Sequence, residues 1–391
     1  MERVNVLFVI PQVERGGSES LVLNIIEGLN TELFKPHLAY FDFFGNSQFL
    51  NEFVDAGAPI YHVPREKRFD LSTMMRLSSI IQENQIHLVN AHHYVSFFFS
   101  YFGCRIRNKT KLVLTAHSKW EIEDASWKSK LIGRAFLRSI DKVVGVTAEV
   151  TKCAINTFHL DPSRTCTILN GIDITRFLSV QRRGTVRQEL FANDDTRIIG
   201  VVANFRKVKN HTFLIRAFAR LVRLYSNVKL VLVGQAFQGD LESSIEEVRS
   251  LVASMELENK VIFLGYRTDV ADLMSGFDIF CLTSWKEGLP ISVIEAMAAG
   301  LPVVGTNVDG IREVVISDRT GLLVDPGDVD ALVAALESLI KDDDRRLRMG
   351  GESRQWAINN FSLQRCIREY EKLFLASVGL GKLAGAKALD L

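Results

Sequence analysis

The sequence alternates short runs of aliphatic and β-branched residues with longer amphipathic stretches, and it does so in two successive series. Residues 4–10 (VNVLFVI) are the first predicted strand, and residues 18–29 (SESLVLNIIEGL) are the first predicted helix. Strands that alternate with helices in this way predict a parallel, doubly wound sheet with helices on both faces. The first series continues with strands at 36–43, 59–63, 87–92, 111–118, 142–147 and 166–173, and with helices near 47–56 and 71–84.

Residues 176–196 (RFLSVQRRGTVRQELFANDDT) interrupt this alternation with charged residues and turn formers, after which the pattern starts again. A chain of 391 residues exceeds what one hydrophobic core usually serves, so two domains are expected. We predict an N-terminal domain over 1–180, a C-terminal domain over 190–360, and a last helix over 361–378 that packs back on the first domain. The second series has predicted strands at 197–205, 228–234, 261–265, 278–284, 302–306 and 321–324, and helices at 209–225, 241–256, 268–275, 290–299 and 328–341.

Charge and cysteine usage exclude several classes of protein. The net charge is +1 and 24% of residues are charged, which is typical of a globular protein and gives no indication of nucleic-acid binding. The five cysteines lack the spacing of a zinc site or a disulfide framework. The apolar run before Pro11 is too short for a signal peptide, and no run is long enough to span a membrane. We expect a cytoplasmic protein that associates at most peripherally with the inner face of the membrane.

The segment 278–306 (DIFCLTSWKEGLPISVIEAMAAGLPVVGT) carries the most informative chemical pattern. A strand is predicted to end at Ser284, and a loop then leads into a helix that opens at about Pro290. The N-terminal end of such a helix binds anions, so a phosphate site is expected there. Glu287 and Glu295 lie eight positions apart and are predicted to point the same way, as acceptors for sugar hydroxyl groups. The alternative is a surface loop with two solvated glutamates.

This arrangement resembles the signature of the retaining glycosyltransferases called group 1 or family 4. The resemblance consists of Glu287 and Glu295 at their spacing, with Gly288, Leu289 and Pro290 between them and AMAAGLPVV after them. It implies that Glu295 holds the ribose of a nucleotide-sugar and that Glu287 faces the donor sugar. The backbone of Gly288, Leu289 and Pro290 would face the diphosphate.

The resemblance covers roughly residues 4–375 and carries wider implications. It implies a GT-B fold, in which two Rossmann-like domains with doubly wound parallel sheets face a central cleft. It also implies retaining transfer from a UDP- or GDP-linked sugar to a glycan or polyprenyl-linked acceptor, in surface polysaccharide biosynthesis. No Asp-x-Asp pattern near a predicted strand end is suited to holding a nucleotide-bound cation, so transfer without metal or cofactor is expected. The alternatives are a nucleotide-sugar-binding subunit without turnover, or an epimerase or phosphorylase of the same architecture.

Cations for the diphosphate are expected in the turn after the strand at 197–205. Arg206, Lys207 and Lys209 lie in this turn, and paired cations there would stabilise the negative charge of a leaving diphosphate. Family 4 enzymes usually have an Arg and a Lys in this turn, which Arg206 and Lys209 resemble. The usual Arg lies further upstream, near Asn204 here. The alternative is a solvated basic turn.

Two further segments of the C-terminal half are candidates for donor contacts. Tyr266 and Arg267 follow the strand at 261–265, where Tyr266 could stack on or edge a nucleobase. A plain loop that enters the next helix is an equally good interpretation. Residues 305–315 (GTNVDGIREVV) resemble a glycine-paired segment of the family, in which Gly310 matches and Asp309 replaces the first glycine. That segment is expected to shape the loop.

The N-terminal half offers a glycine pair and several histidines. Gly16 and Gly17 precede Ser18 as a flexible loop with a helix N-cap, and they do not match the G-x-G-x-x-G pattern of dehydrogenases. The resemblance places this loop across the cleft from the donor phosphates. It also matches His117 to a Thr-x-His at the end of a strand, where it would contact the donor sugar without acting as a full base. His92 and His93 either line an acceptor pocket or cap a strand.

Residues 125–140 (ASWKSKLIGRAFLRSI) predict a basic amphipathic helix. Such a helix can lie on an anionic membrane, and a solvated basic face is the alternative. On a helical wheel the basic face would hold Lys130, Arg134 and Arg138, beside an apolar face of Trp127, Leu131, Ala135 and Phe136.

Overall fold

The structure, a computed structural model, describes residues 3–13, 16–43, 47–66, 69–107, 110–178, 182–236 and 243–381. The chain divides into two compact units, of which the first comprises Met1–Gly171 with Leu363–Leu391 and the second comprises Ile172–Ser362. The division therefore precedes the charged segment 176–196, which belongs to the second unit. In the ranges described, each helix is too short or too polar to cross a lipid bilayer.

The described part of the first unit contains a seven-stranded sheet in the order β3-β2-β1-β4-β5-β6-β7, with neighbouring strands parallel. The strand order reverses between β1 and β4, and ligands bind beside the carboxyl ends of strands at such a reversal. The strands are β1 (Val4–Val13), β2 (Phe34–Phe43), β3 (Ile60–His62), β4 (Leu88–His92), β5 (Lys111–Ala116), β6 (Lys142–Gly145) and β7 (Thr165–Thr167). The helices are α1 (Gly17–Gly28), α2 (Ser47–Asp55), α3 (Leu71–Glu83), α4 (His93–Arg107), α5 (Lys119–Glu123), α6 (Trp127–Leu137) and α7 (Ala148–Phe158).

The described part of the second unit contains a six-stranded parallel sheet in the order β10-β9-β8-β11-β12-β13, which reverses between β8 and β11. The strands are β8 (Arg197–Val202), β9 (Val228–Val233), β10 (Val261–Gly265), β11 (Ile279–Leu282), β12 (Val303–Thr306) and β13 (Gly321–Val324). The helices are α8 (Thr175–Leu178), α9 (Arg183–Glu189), α10 (His211–Leu224), α11 (Ile245–Ser254), α12 (Val270–Gly276), α13 (Ile291–Ala298), α14 (Asp309–Val314), α15 (Val329–Lys341) and α16 (Asp343–Asn360).

The last helix, α17 (Leu363–Ser377), packs in the core of the first unit. The ring of Phe374 contacts Phe8 of β1 and Phe34 of β2, with ring centroids 6.0 and 6.2 Å apart. Tyr370, one turn earlier, is also fully buried. Helix α17 therefore completes the core of the first sheet.

The sheets have the residue pattern that burial on both faces requires. Every residue of β11 (IFCL) is buried, because helices cover both faces of a parallel sheet. The buried carboxylate of Asp278 precedes this strand and accepts hydrogen bonds from the backbone N–H of Ile198 (2.8 Å) and from Arg187 (3.1 Å). These bonds attach α9 to the start of the sheet.

The structure departs from the sequence prediction at β7 and α16, and it adds helices α4, α5, α7 and α14, which were not predicted. The strand predicted over 166–173 ends at Thr167, since Ile172 bonds instead to the backbone of Phe361. The helix α16 was not predicted, because its sequence is strongly polar and contains two consecutive glycines. One of them, Gly350, packs so closely on the Gly300 carbonyl that a Cβ would lie 2.2 Å from its oxygen.

Candidate functional site

Most predicted donor residues of the second unit follow β8 and β11, the two strands at which the sheet order reverses, whereas Tyr266 and Arg267 follow β10. Two hydrogen bonds join the turn after β8 to the loop after β11. The backbone N–H of Trp285 donates to the Val208 carbonyl (2.8 Å), and the Thr283 hydroxyl donates to the Asn210 carbonyl (3.1 Å). Turn and loop therefore form one connected edge, which we call the donor edge (residues 203–210 and 283–290).

Lys209 and Glu287 meet at the donor edge. The Lys209 ammonium donates to Glu287 Oε1 at 2.6 Å, and the Ser284 hydroxyl donates to the same carboxylate. The Glu287 side chain is only 9% exposed and that of Lys209 is 25% exposed. The ion pair explains how a carboxylate can lie beside an expected phosphate site, because the ammonium offsets its negative charge.

Arg206 lies on the same turn as Lys209 with its side chain exposed. Its backbone N–H donates to the Asn204 carbonyl, and its own carbonyl accepts from the Lys209 N–H (2.9 Å). Asn210 ends the turn in the left-handed conformation (φ 50°) and leads into α10. Arg206 and Lys209, the two predicted cations, thus lie three positions apart on one turn.

Glu295 lies in the second turn of α13, which begins one residue later than predicted because Pro290 is its N-cap (φ −77°, ψ 99°). The residues on both sides of Glu295, Ile294 and Ala296, are fully buried. Burial raises the pKa of the Glu295 carboxyl to about 7, and the positive charge of Arg176 opposes that effect. Glu295 therefore has an environment quite different from that of the ion-paired Glu287.

Gly310 supports the backbone between these two glutamates. A Cβ at Gly310 would lie 2.1 Å from the Gly288 carbonyl oxygen and 2.8 Å from that of Glu287. The close approach of α14 to this loop therefore requires glycine at position 310. This geometry agrees with the expectation that the segment 305–315 shapes the loop after β11. That loop continues through Leu289 to Pro290, the N-cap of α13.

Tyr266 and Arg267 have different surroundings in the loop after β10. The Arg267 guanidinium donates two hydrogen bonds to Asp269 (2.7 and 2.6 Å) and another to Glu189 of α9. Arg267 thus attaches the loop to α9, whereas the Tyr266 side chain is 46% exposed. Sequence reasoning missed Gly234 next to this loop, where a Cβ would lie 2.0 Å from the Ala203 carbonyl oxygen.

The glycine pair of the first unit begins α1. The predicted flexible loop capped by Ser18 is wrong at this point, since Gly16 is the N-cap and Gly17 is the first helical residue. A Cβ at Gly16 would lie 2.6 Å from Glu19 Oε2, and the Ser18 hydroxyl donates to the same oxygen (2.8 Å). Sequence reasoning missed the buried Glu19, which is unusual in being a carboxylate in the interior.

Three histidines that were considered separately in the sequence meet in the first unit. His92 is the last residue of β4, and His117 directly follows the neighbouring β5. His92 Nδ1 lies 2.9 Å from His117 Nε2, and the His93 ring stacks on the His117 ring with centroids 4.6 Å apart. His93 Nδ1 is in turn 2.6 Å from Glu121 Oε1. The carboxyl ends of adjacent parallel strands would have indicated this group, which we call the histidine cluster (His92, His93 and His117).

The members of the histidine cluster differ in how readily they take up a proton. Burial lowers the pKa of His117 well below its ordinary range, and the nearby His93 and His92 lower it further. Burial also lowers the pKa of His92, to about 3. For His93 burial acts in the same direction, but the hydrogen bond and charge of Glu121, with the charge of Glu19, raise its pKa above the ordinary value. The cluster thus holds two neutral imidazoles beside one that is more readily protonated.

Helix α6 leaves large apolar side chains exposed to solvent. Trp127, Leu131 and Ile132 are 71%, 59% and 46% exposed. Lys130 donates instead to the Glu123 carbonyl (2.6 Å), and Arg134 to that of Thr157 (3.1 Å). Lys130 and Arg134 are thus half-buried, Arg138 is exposed, and the exposed surface of α6 is largely apolar.

Two family models match most of the chain. The model for Glycosyl transferases group 1 matches residues 182–356, and the model for Glycosyltransferase Family 4 matches residues 15–176. The chain belongs to the group 1, family 4 glycosyltransferases. The family resemblance inferred from the segment 278–306 is confirmed, and the protein is a glycosyltransferase.

Individual relatives cover most of this glycosyltransferase. It is 27% identical over 319 residues to N-acetyl-alpha-D-glucosaminyl L-malate synthase of Bacillus anthracis, covering 80% of this chain and 81% of that one. It is 21% identical over 343 residues to the Escherichia coli UDP-Gal:alpha-D-GlcNAc-diphosphoundecaprenol alpha-1,3-galactosyltransferase, covering 84% and 87%. The crystal structure of Anabaena HepE in complex with UDP and glucose matches with a TM-score of 0.84 at 20% identity, covering 96% and 100%. This likeness confirms the GT-B fold.

Proposed function

We propose that this glycosyltransferase moves a sugar, with retention and without a metal ion, from a nucleotide-sugar to a glycan or lipid-linked acceptor. The observation that carries the proposal is the donor edge, where Lys209 and Glu287 pair at 2.6 Å beside the N-terminal end of α13. Such an edge combines cations for a diphosphate with a carboxylate for sugar hydroxyls. UDP is the nucleotide we expect first, because HepE binds UDP and the Escherichia coli relative is named for UDP-Gal. GDP is the alternative.

The residues of the donor edge would have distinct roles. As the glycosidic bond breaks, the diphosphate gains negative charge, which Lys209 and Arg206 would stabilise more strongly than in the ground state. Glu287 would accept a hydrogen bond from a donor-sugar hydroxyl. The backbone of Gly288, Leu289 and Pro290 would face the diphosphate. Glu295 would accept hydrogen bonds from the two ribose hydroxyls once its carboxyl has lost its proton.

Retention would follow from displacement on one face of the sugar. The bond from C1 to the phosphate oxygen breaks while the acceptor oxygen bonds to C1 on the same face. The acceptor hydroxyl proton passes to the departing phosphate oxygen, so no separate protein base is needed. His117 would contact the donor sugar, and its lowered pKa suits that role better than the role of a general base.

The first unit would bind the acceptor, with Gly16 and Gly17 at its phosphate and acceptor loop. One relative is named for malate and another for a diphosphoundecaprenol-linked sugar, so their names support a choice among chemically different acceptors. The apolar surface of α6 favours a lipid-linked acceptor here, because Lys128 and Arg138 are exposed beside Trp127 and Leu131. Cations beside exposed aromatic and aliphatic side chains suit the headgroup region of an anionic membrane. A role in surface polysaccharide synthesis at the inner face of the membrane would follow.

Calorimetry against a panel of UDP- and GDP-linked sugars tests the proposed function. We expect at least one nucleotide-sugar to bind the wild-type protein, and Glu295→Ala to weaken its binding by about tenfold or more. Glu352→Ala is the matched control, because Glu352 pairs with Arg319 on the surface of the same unit. Equal binding by the wild type and Glu295→Ala, with both folded, would contradict the assigned site. Binding without product formation for any glycan or lipid-linked acceptor would favour a subunit without turnover.

A further inference from the structure

A chain of hydrogen bonds lies beneath His117 in the first unit. The Asn90 amide nitrogen is 3.0 Å from Thr115 Oγ1 and 3.5 Å from the Val113 carbonyl oxygen. Because a backbone carbonyl can only accept, the amide nitrogen must be the end of Asn90 that faces it. The other end, Asn90 Oδ1, is then fixed on the side of His92, with His92 Nε2 at 3.0 Å.

The direction of each remaining bond follows from this orientation. The Asn90 carbonyl oxygen accepts, so His92 Nε2 must carry a proton. His92 is fully buried and its pKa is lowered to about 3, so its ring is neutral and its Nδ1 bears a lone pair. That lone pair lies 2.9 Å from His117 Nε2, which therefore donates. A neutral His117 that donates from Nε2 has a lone pair at Nδ1.

We propose that Asn90 and His92 are positioning residues that hold His117 in the Nε2–H tautomer, so that Nδ1 offers substrate only a hydrogen-bond acceptor. The tautomer follows from the contacts within the first unit, whereas its use by a substrate hydroxyl rests on the proposed function. In the opposite tautomer Nδ1 would carry a hydrogen and would repel a hydroxyl hydrogen aimed at it. Asn90 and His92 thus act through His117 and contact no substrate themselves.

The groups that face His117 also keep it neutral. The His93 ring stacks on it with an interplanar angle of 26°, and His93 pairs with Glu121. Since the carboxylates of Glu121 and Glu19 favour the charged form of His93, a second positive charge on His117 is disfavoured. Among the described residues, no three His, Cys, Asp or Glu side chains are arranged to hold a metal ion. The cluster is therefore better explained as an arrangement that orients one imidazole.

Long-range proton–nitrogen NMR spectra of the full chain with ¹⁵N-labelled histidine rings test this proposal without any substrate. His117→Gln and His92→Gln assign the two rings. In the wild type we expect both to be neutral and protonated at Nε2 from mildly acidic to neutral pH. A wild-type His117 protonated at Nδ1, or at both nitrogens, would overturn the proposal even if no variant could be prepared.

Asn90→Asp tests whether Asn90 and His92 set the tautomer of His117. A carboxylate at position 90 favours the charged form of His92, which then donates from Nδ1. His117 Nε2 must in turn accept, so His117 shifts to the Nδ1–H tautomer at mildly acidic pH. His92→Gln is the conservative variant for comparison. Its side-chain oxygen can still accept a hydrogen bond from His117 Nε2, so His117 should keep the Nε2–H tautomer. An unchanged His117 tautomer in Asn90→Asp would show that the chain of bonds does not set it.

Steady-state kinetics then test whether substrate depends on the His117 tautomer. They use the nucleotide-sugar that the calorimetry panel identifies. We expect Asn90→Asp to lower kcat about tenfold or more, with little change in donor KM, and His92→Gln to retain most of the wild-type kcat. Equal kcat in Asn90→Asp and wild type, despite the shifted tautomer, would refute the role in substrate contact. A panel without any binding donor would instead refute the proposed function, since the spectra do not depend on it.

Discussion

The donor edge of the second unit and the histidine cluster of the first unit both lie at strand ends, but they are built from opposite kinds of groups. The donor edge brings together full charges, as in the pair of Lys209 and Glu287. The histidine cluster holds His92 and His117 neutral in buried surroundings. Full charges suit an ionic diphosphate, whereas neutral imidazoles of fixed orientation suit hydroxyl groups. Under the proposed function, the two units would divide recognition between an ionic diphosphate and neutral hydroxyl groups.

The largest expected effect tests the charged side of this comparison. Lys209→Ala removes a cation from the donor edge and leaves the negative charge of Glu287 without its ion-pair partner. The diphosphate would then meet less positive charge as it leaves, so kcat should fall by about 100-fold. Initial-rate kinetics with the donor from the panel would measure it. Lys207→Ala is the matched control, because Lys207 is exposed on the same turn, and it should change kcat little. Equal losses of kcat in the two variants would contradict this comparison. They would mean that any positive charge on the turn serves the reaction, whatever its position.

The next effect concerns the protonation of Glu295. Its pKa of about 7 means that the carboxylate must form before it can accept from two ribose hydroxyls. Nucleotide-sugar affinity should therefore be constant above pH 7 and fall by about tenfold per pH unit below it. Calorimetry over this range should show a flat profile for Glu295→Gln. The same falling profile in that variant would assign the titration to another group.

The same shift gives a stability prediction with the opposite dependence on pH. Since burial raises the pKa of this acid from 4.5 to about 7, the folded protein holds a proton that the unfolded chain has lost. The free energy of unfolding should then decrease as pH rises from 4.5 to 7, by at most about 3 kcal/mol. Thermal melts of wild type and Glu295→Gln should diverge over that range, with the variant more stable at pH 7. Parallel melting profiles would contradict the raised pKa.

A smaller effect tests how the donor edge depends on backbone packing. Gly310→Ala puts a Cβ 2.1 Å from the Gly288 carbonyl oxygen, so the loop must move. We expect donor KM to rise several-fold and the free energy of unfolding to fall by about 1–3 kcal/mol. Gly351→Ala in α16 is the control, because a Cβ there meets no atom within 4 Å, and it should stabilise the helix slightly. An unchanged KM in Gly310→Ala would mean that the position of the loop backbone is not critical.

The smallest effect concerns membrane contact by the first unit. Sedimentation with phosphatidylcholine vesicles containing phosphatidylglycerol should recover the wild type, and Trp127→Ser with Leu131→Ser should reduce recovery several-fold. Phe191→Ser in the second unit is the control, because Phe191 is the more exposed aromatic residue at 85%. Equal recovery of all variants would refute α6 as the contact. Recovery unchanged by removing phosphatidylglycerol would refute the role of the cations.

The sequence predicted elements and local motifs well and long-range pairings poorly. Glu287 and Lys209 were identified from separate motifs 78 positions apart, and nothing local indicated that they form an ion pair. His92 and His117 were weighed apart from each other because their contact depends on β4 and β5 being neighbours. The helix over 127–137 was expected, but a helical wheel cannot say which face packs. Gly133 decides it, since a Cβ there would lie 2.7 Å from the Phe158 ring, so α6 packs through its glycine side.

Helix α17 supports the hydrogen-bond chain beneath His117 from the far end of the described sequence. Tyr370 of α17 places its hydroxyl 3.5 Å from Thr115 Oγ1, and Thr115 is the residue to which Asn90 donates. A chain shortened before Leu363 would therefore retain all three histidines and the whole donor edge, yet expose the base of the hydrogen-bond chain to water. We expect the histidines of such a chain to lose their fixed orientation and the first unit to lose stability, because Tyr370 and Phe374 leave its core. The orientation of residues at one end of the sheet thus depends on a helix that lies about 250 positions away along the chain.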